Sequence, residues 1–318
     1  MNIKILGTGR KLPERVVTND ELAALIDTND EWITSKTGIK TRHVCTTETL
    51  ADLAEGAARE AIEKSGLTIS DVDIVICGTV SSDYITPALA CVVSQRLGIE
   101  RPAFDVNGAC SGFIYMLDVA DAYISAGKAK NILLVAAEML SRHTDWTDRA
   151  TCVLFGDGAG ACVVSAGNAL KYIRVNADGN ADPLYAKAGT GNNPFAPEPL
   201  TQTFIRMEGQ KVFKFAVKTI EDEIERALAA LGLDAGNVDY FLLHQANLRI
   251  IDAARSRLGQ PAEKFPTNIS KYGNMSSASI IILLDEMLEE SKIKPGDTLM
   301  FVAFGAGMTS GACVLEWG

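Results

Sequence analysis

The chain has 318 residues, 47% of them hydrophobic and 22% charged, with a formal net charge of −10. Such a chain builds a large core, as two domains or a fused pair, which excludes disorder. The acidic balance argues against nucleic acid as the main partner, because phosphate binding leaves a basic imprint.

In chain order, Met1-Asn2-Ile3-Lys4-Ile5-Leu6-Gly7 opens as a strand rather than a signal peptide. No apolar run reaches the ~20 residues of a membrane span, so a cytoplasmic protein with no membrane partner is expected. Gly7-Thr8-Gly9 follows that strand, but Leu12 stands where a dinucleotide fingerprint needs its third glycine. Residues 51–65 read as an Ala-rich amphipathic helix, followed by an apolar strand ending at Gly78.

A second apolar strand, ending at Val106, runs into Asn107-Gly108-Ala109-Cys110-Ser111-Gly112 and a mostly apolar helix from Phe113 to Ala126. A Gly-x-Cys-x-Gly turn bends sharply and leaves the thiol at a helix N-terminus, where unsatisfied N–H groups favour a thiolate. The competing reading is a packing cysteine between glycines. The other six, Cys45, Cys77, Cys91, Cys152, Cys162 and Cys313, show no paired spacing, so neither a disulfide frame nor a metal site is expected.

Apolar strands follow at Asn131 to Ala136 and after Phe155-Gly156, and the segment Asn176 to Thr203, rich in Asn, Gly and Pro, reads as a linker with surface loops. The helix from Gln210 carries Lys211, Lys214 and Lys218 early and Glu221, Asp222, Glu223 and Glu225 late, an order that opposes its own dipole.

Of the three histidines, His43 and His143 sit among polar residues and read as surface. His244 ends the apolar strand Val238 to Leu243 and opens a loop, which makes it the candidate partner for the thiol. A second turn of small residues, Gly273-Asn274-Met275-Ser276-Ser277, leads into another apolar helix. Phe304-Gly305-Ala306-Gly307 then joins two apolar strands, a turn suited to aiming a backbone N–H at an oxyanion.

The chain also echoes itself. Gly66-Leu67 and Asp71 to Gly78 are matched by Gly232-Leu233 and Asn237 to His244, Arg96-Leu97-Gly98 by Arg257-Leu258-Gly259, and the strand pair after residue 131 by that after 298. Two halves of similar plan, 1–170 and 171–318, are expected.

These motifs, with Asp30-Glu31-Trp32-Ile33, Thr37-Gly38-Ile39, Asp148-Arg149 and His244-Gln245-Ala246-Asn247-Leu248-Arg249, resemble the thiolase-fold ketosynthases, most closely the β-ketoacyl-acyl carrier protein synthase III family. The resemblance spans the whole chain. It implies a five-layered α-β-α-β-α α/β fold, a homodimer, and a decarboxylative condensation of acyl-CoA with malonyl-acyl carrier protein that initiates fatty acid synthesis. No cofactor is implied, since CoA arrives as the substrate thioester. Cys110 would carry the acyl group, with its own N–H and that of Ala306 as oxyanion donors, and His244 and Asn274 would stabilise the enolate. Thr28, Trp32, Lys36 and Arg149 would hold CoA. Thr86, Leu154 and Phe204 would shape the acyl pocket, Thr86 standing where acetyl-preferring relatives carry phenylalanine. Lys214, Arg249 and Arg257 would dock the acidic carrier. Lys36, Ala306 and Ser310 depart from the family's frequent arginine, glycine and tryptophan. The alternatives left open are a paralogue that primes a secondary metabolite or acylates an alcohol or amine, and a Cys-His-Asn peptidase or hydrolase.

Overall fold

The structure, a computed structural model, describes residues 2–188, 195 and 204–318. Its first sheet begins with β1 (Asn2–Lys11). A small lobe follows: β2 (Val16–Thr18), α1 (Asn19–Ala23), α2 (Asp30–Thr37) and β3 (Thr41–His43). Next, α3 (Leu50–Ser65) starts on a reciprocal Thr49–Asp52 capping box and ends at Gly66 in the left-handed conformation. Then come β4 (Ile74–Gly78), α4 (Leu89–Leu97), β5 (Ala103–Val106), α5 (Gly112–Ser125), β6 (Asn131–Met139) and β7 (Asp157–Gly167). The strands order as β1-β7-β6-β4-β5, with β4 parallel to both neighbours. Every residue of β6 is buried, which explains why its sequence is a continuous apolar run rather than an alternation.

The second half repeats this plan with β8 (Leu170–Asn180), short strands β9 (Leu184–Ala186) and β10 (Ile205–Met207), which pair with each other in a sheet of their own, α6 (Gly209–Leu231), β11 (Tyr240–Leu243), α7 (Leu248–Leu258), α8 (Ile269–Tyr272), α9 (Ala278–Glu289), β12 (Thr298–Gly305) and β13 (Gly307–Glu316). The second large sheet has the order β11-β12-β13-β8. The first sheet draws only on residues 2–167 and the second only on 170–316, and the second lacks a counterpart of β5.

Helices α5 and α9 are apolar nearly all round, and such helices must be covered on every side. They lie between the sheets, packed against Ile74, Ile76, Ile132 and Leu134 of one and Leu299, Phe301 and Cys313 of the other. The alternate side chains, Val75, Cys77, Leu133 and Val135, face α3 and α4, while Met300 and Val302 face α6 and α7. The result is the five-layered α-β-α-β-α sandwich, and it aligns the ends of β5, β6 and β11 at one rim, where ligands bind in open α/β sheets.

Two expectations need correction. Residues 176–180 form the end of β8, paired to β13, and 184–186 form β9, so much of the described part of the expected linker is strand. Backbone pairing at the sheet edge overrides the loop-like composition there. Residues 189–194 and 196–203 lie outside the described residues. Gly7 and Gly9 lie inside β1 rather than after it, and they serve packing: a Cβ on Gly7 would stand 2.3 Å from Ser65 N, and one on Gly9 2.5 Å from Ala57 O.

Candidate active site

Cys110 sits in a single 3-10 turn, Ala109–Ser111, between β5 and α5. Ala109 takes φ +47°, a strained conformation for a residue with a side chain, and the turn is held by the β12–β13 hairpin. Thr309 Oγ1 donates to Gly108 O (3.0 Å), and Gly305 lies so close that a Cβ there would stand 2.7 Å from Cys110 N. Glycine is therefore required at 305 for the hairpin to reach the nucleophile turn.

His244 leaves the end of β11 with its backbone N–H on Val302 O (2.9 Å), and its side chain is 1% exposed. Its ring lies edge-on to Phe304, and Nδ1 is 2.7 Å from Ser279 Oγ on α9. Gln245 N–H also donates to that Oγ (3.3 Å), and Nδ1 is the acceptor at hand for the hydroxyl proton. Nδ1 thus accepts, and Nε2 carries the ring proton. Asn274 is 7% exposed, and its Oδ1 accepts from Ser276 N–H (2.8 Å), which leaves the amide NH₂ as the donor.

Cys110, His244 and Asn274 all line one cavity of about 90 Å³, which the expected triad therefore shares. Cys110 also lines a wider cavity of about 420 Å³ with Val80, Leu140, Phe155, Leu184 and Ile205. On the other side, Leu154, Phe213 and Asn247 of the small cavity continue into a third of about 450 Å³, where Trp32, Lys36, Lys214 and Arg249 stand. The thiol thus sits at the inner end of a passage from that mouth, where the apolar cavity begins.

Burial dominates the electrostatics. It pushes the Cys110 thiol up to about 12, against hydrogen bonds from the Ser276 hydroxyl and from its own N–H, with the Glu138 carboxylate raising it further. The resting group is therefore a protonated thiol, which corrects the expected thiolate: one 3-10 turn supplies less than burial removes. Burial likewise lowers His244 to about 3, so its imidazole is neutral across the physiological range.

The other expected residues distribute as follows. Ala306 borders the wide cavity beside Cys110. The Arg149 guanidinium lies 4.8 Å from the Trp32 ring and Nη1 donates to Asp27 O, while Thr28 Oγ1 is buried without a partner. Leu154 lies on the mouth side of Cys110, and Phe204 packs against Arg206, so neither lines the wide cavity. Thr86 is exposed on the turn with Tyr84 and Ile85 and lines none of these three cavities. Arg257 is paired with Glu221, whereas Arg249 lies over the Phe213 ring. His143 is half-buried and lines the wide cavity, and His43 is half-buried against Pro13 O and Tyr272, so neither is the free surface residue its polar neighbours suggested.

Fold and site together define a cysteine-dependent acyltransferase of the condensing type. Models of 3-oxoacyl-[acyl-carrier-protein] synthase III match residues 104–181 and, for its C-terminal part, 228–317. A curated β-ketoacyl-[acyl-carrier-protein] synthase III of Xanthomonas campestris is 43% identical, covering 99% of this chain and 98% of its own. The crystal structure of 3-oxoacyl-[acyl-carrier-protein] synthase III from Aquifex aeolicus superposes with a TM-score of 0.92 at 42% identity, covering 99% of this chain and 100% of that one. The corresponding Pseudomonas aeruginosa structure gives 0.93 at 37%, covering 100% and 98%. The chain belongs to the 3-oxoacyl-[acyl-carrier-protein] synthase III family.

Proposed function

We propose that this chain joins an acyl-CoA primer to malonyl-acyl carrier protein with loss of carbon dioxide, and so initiates fatty acid synthesis. Cys110 attacks the primer thioester and holds the acyl group, with the N–H groups of Cys110 and Ala306 facing the oxyanion. His244 Nε2–H and the Asn274 amide donate to the malonyl thioester oxygen, stabilising the enolate left by decarboxylation. The carbanion attacks the acyl-cysteine and releases 3-oxoacyl-carrier protein. No cofactor or metal is assigned; CoA enters as substrate.

The convergence of Cys110, His244 and Asn274 on one cavity carries this reading. Neutral donors suit an enolate, whereas a peptidase needs an imidazole able to hold charge beside a thiolate, and burial of His244 opposes that.

The Trp32–Arg149 pair and Lys36 support CoA binding at the mouth, where the unpartnered Thr28 hydroxyl offers a further hydrogen bond. Lys214 and Arg249 at the same rim support docking of the acidic carrier. The wide apolar cavity supports a primer larger than acetyl. Exposed Tyr84 and Ile85 support a homodimer in which this turn, with Thr86, meets the partner's cavity. The enzyme is placed in the cytoplasm on the same reading; no helix among the described residues is long and apolar enough to cross a membrane.

Incubation of the purified chain with acyl-CoA and malonyl-carrier protein tests the proposal. Formation of 3-oxoacyl-carrier protein and carbon dioxide, lost in Cys110→Ala, is expected. Acyl transfer to an alcohol or amine without decarboxylation would establish the paralogue instead.

A further inference from the structure

Glu138, near the end of β6, is a fully buried carboxyl group, and the chemistry described so far gives it no part. Its Oε2 accepts from Ser81 Oγ (2.7 Å), Val80 N–H (3.1 Å) and Thr79 Oγ1 (3.4 Å), and its Oε1 from Ser277 Oγ (2.9 Å). These partners are three hydroxyls and one backbone N–H, with no cation among them. An apolar residue would pack in such a place at less cost, because every bond the buried acid makes goes to offset its own desolvation.

Each oxygen holds a different turn, and each turn borders a different cavity of the site. Oε2 gathers Thr79-Val80-Ser81, the turn after β4, and Val80 is a wall of the wide cavity. Ser81 N–H also donates to Thr79 Oγ1 (3.1 Å), and Met139 N–H, next to Glu138, donates to Ser81 Oγ (2.7 Å). Oε1 holds Ser277, at the N-cap of α9, which closes the turn begun by Asn274 in the small cavity. That second turn is tight. Ser276 stands in the left-handed region at φ +47° and gives its N–H to Asn274 Oδ1 (2.8 Å), so a movement of Ser277 passes through one strained residue to the amide. Gly112, which opens α5, closes the other flank: a Cβ there would stand 3.1 Å from Ser277 Cβ.

We propose that Glu138 is a positioning residue for both half-reactions: through Ser277 it aims the Asn274 amide at the enolate oxygen, and through the turn of Thr79 to Ser81 it fixes the Val80 wall that selects the primer. It touches no reacting atom and transfers no proton. What matters is therefore where its two oxygens stand, not its charge. A glutamine at 138 keeps an acceptor for Val80 N–H and Ser81 and turns its amide N–H to Ser277 Oγ, whose hydroxyl then donates to Gly78 O (3.3 Å). Alanine keeps neither contact.

The inference rests on Cys110 as acyl carrier and Asn274 as enolate donor, so the test reads these apart from Glu138. Acylation is followed by rapid-quench mass spectrometry with acetyl-CoA and octanoyl-CoA in competition, and decarboxylation as carbon dioxide release from malonyl-carrier protein in each variant combined with Cys110→Ala. Ser277→Ala is expected to lower carbon dioxide release about tenfold and to leave the octanoyl-to-acetyl ratio at its native value. Ser81→Ala should do the reverse, lowering that ratio about fourfold, the worth of one buried methylene contact, with decarboxylation near native. Glu138→Ala should combine both losses, and Glu138→Gln should recover most of each. Each serine variant removes one hydroxyl, so the test stands even where Glu138→Ala does not fold. A native rate in Ser277→Ala or a native ratio in Ser81→Ala overturns the proposal. So does an equal fall in acylation and decarboxylation in both serine variants, which would mark a carboxyl that serves the fold alone. Glu138→Gln as impaired as Glu138→Ala overturns it too, since charge rather than position would then act. Native decarboxylation in Asn274→Ala, or acylation persisting in Cys110→Ala, overturns the underlying reading instead.

Discussion

Replacing Ser279 by alanine isolates the smallest part of the decarboxylation machinery. The hydroxyl lies 2.7 Å from His244 Nδ1 and accepts the Gln245 N–H, so it fixes the tautomer that keeps the proton on Nε2. Deleting the imidazole removes a whole enolate donor, which typically costs ~10²- to 10³-fold in rate. Deleting only the hydroxyl leaves the ring in place and removes one neutral hydrogen bond, worth about 1 kcal/mol, so the tautomer bias falls by about five- to tenfold. The assay is carbon dioxide release from malonyl-carrier protein by enzyme already carrying Cys110→Ala, which silences the other half-reaction. The expected order is native ring, then Ser279→Ala about five- to tenfold lower, then His244→Ala lower by a further order of magnitude or more. A Ser279→Ala rate equal to that of the parent would refute the tautomer argument, and one equal to His244→Ala would show that Ser279 holds the whole ring in place.

Three further outcomes follow from the same geometry. Because His244 titrates near 3 when folded, well below its ordinary value of 6.5, the unfolded chain binds more protons between those limits and stability falls as pH drops from 6.5 toward 3. Denaturant titrations of His244→Gln should show a shallower acid slope than the parent, and identical slopes would contradict the buried neutral ring. Thr86→Phe should narrow the primer range toward acetyl-CoA in competition assays, each buried methylene being worth ~0.8 kcal/mol; a native enzyme already restricted to acetyl-CoA would defeat that expectation. Lys214→Glu with Arg249→Glu should raise KM for malonyl-carrier protein with little change in acylation, and an unchanged KM removes these residues from docking.

Much of the architecture was legible because it depends on local pattern. The mostly apolar helices after Cys110 and Asn274 demanded cover on both sides, and the order of strands and Gly-terminated helices recurred in both halves. The three candidates stood out in the sequence for the same reason, since each lies in a turn at the end of an element: Cys110 after β5, His244 after β11 and Asn274 between α8 and α9. What escaped lies in contacts between distant segments. Ser277 meets Glu138 across 139 residues of sequence, and Ser279 reaches His244 from another layer. Glu138 did leave a signal: one carboxyl in the continuous apolar run of β6. Leu154 and Phe204, expected in the acyl pocket, do not line the wide cavity, because adjacency to a motif does not say which side of the thiol a residue reaches. The lining of the wide cavity by His143 likewise had no periodicity to reveal it.

The division of labour among Cys110, His244 and Asn274 is tested most directly by measuring both half-reactions in the same three variants, acyl-enzyme by intact-mass spectrometry and carbon dioxide release from malonyl-carrier protein. His244→Ala and Asn274→Ala should still become acylated at Cys110 while losing decarboxylation by ~10²-fold or more, and Cys110→Ala should lose the acyl group while retaining decarboxylation. Abolished acylation in His244→Ala, together with intact decarboxylation in Asn274→Ala, would contradict the account and point to a Cys–His ion pair in its place.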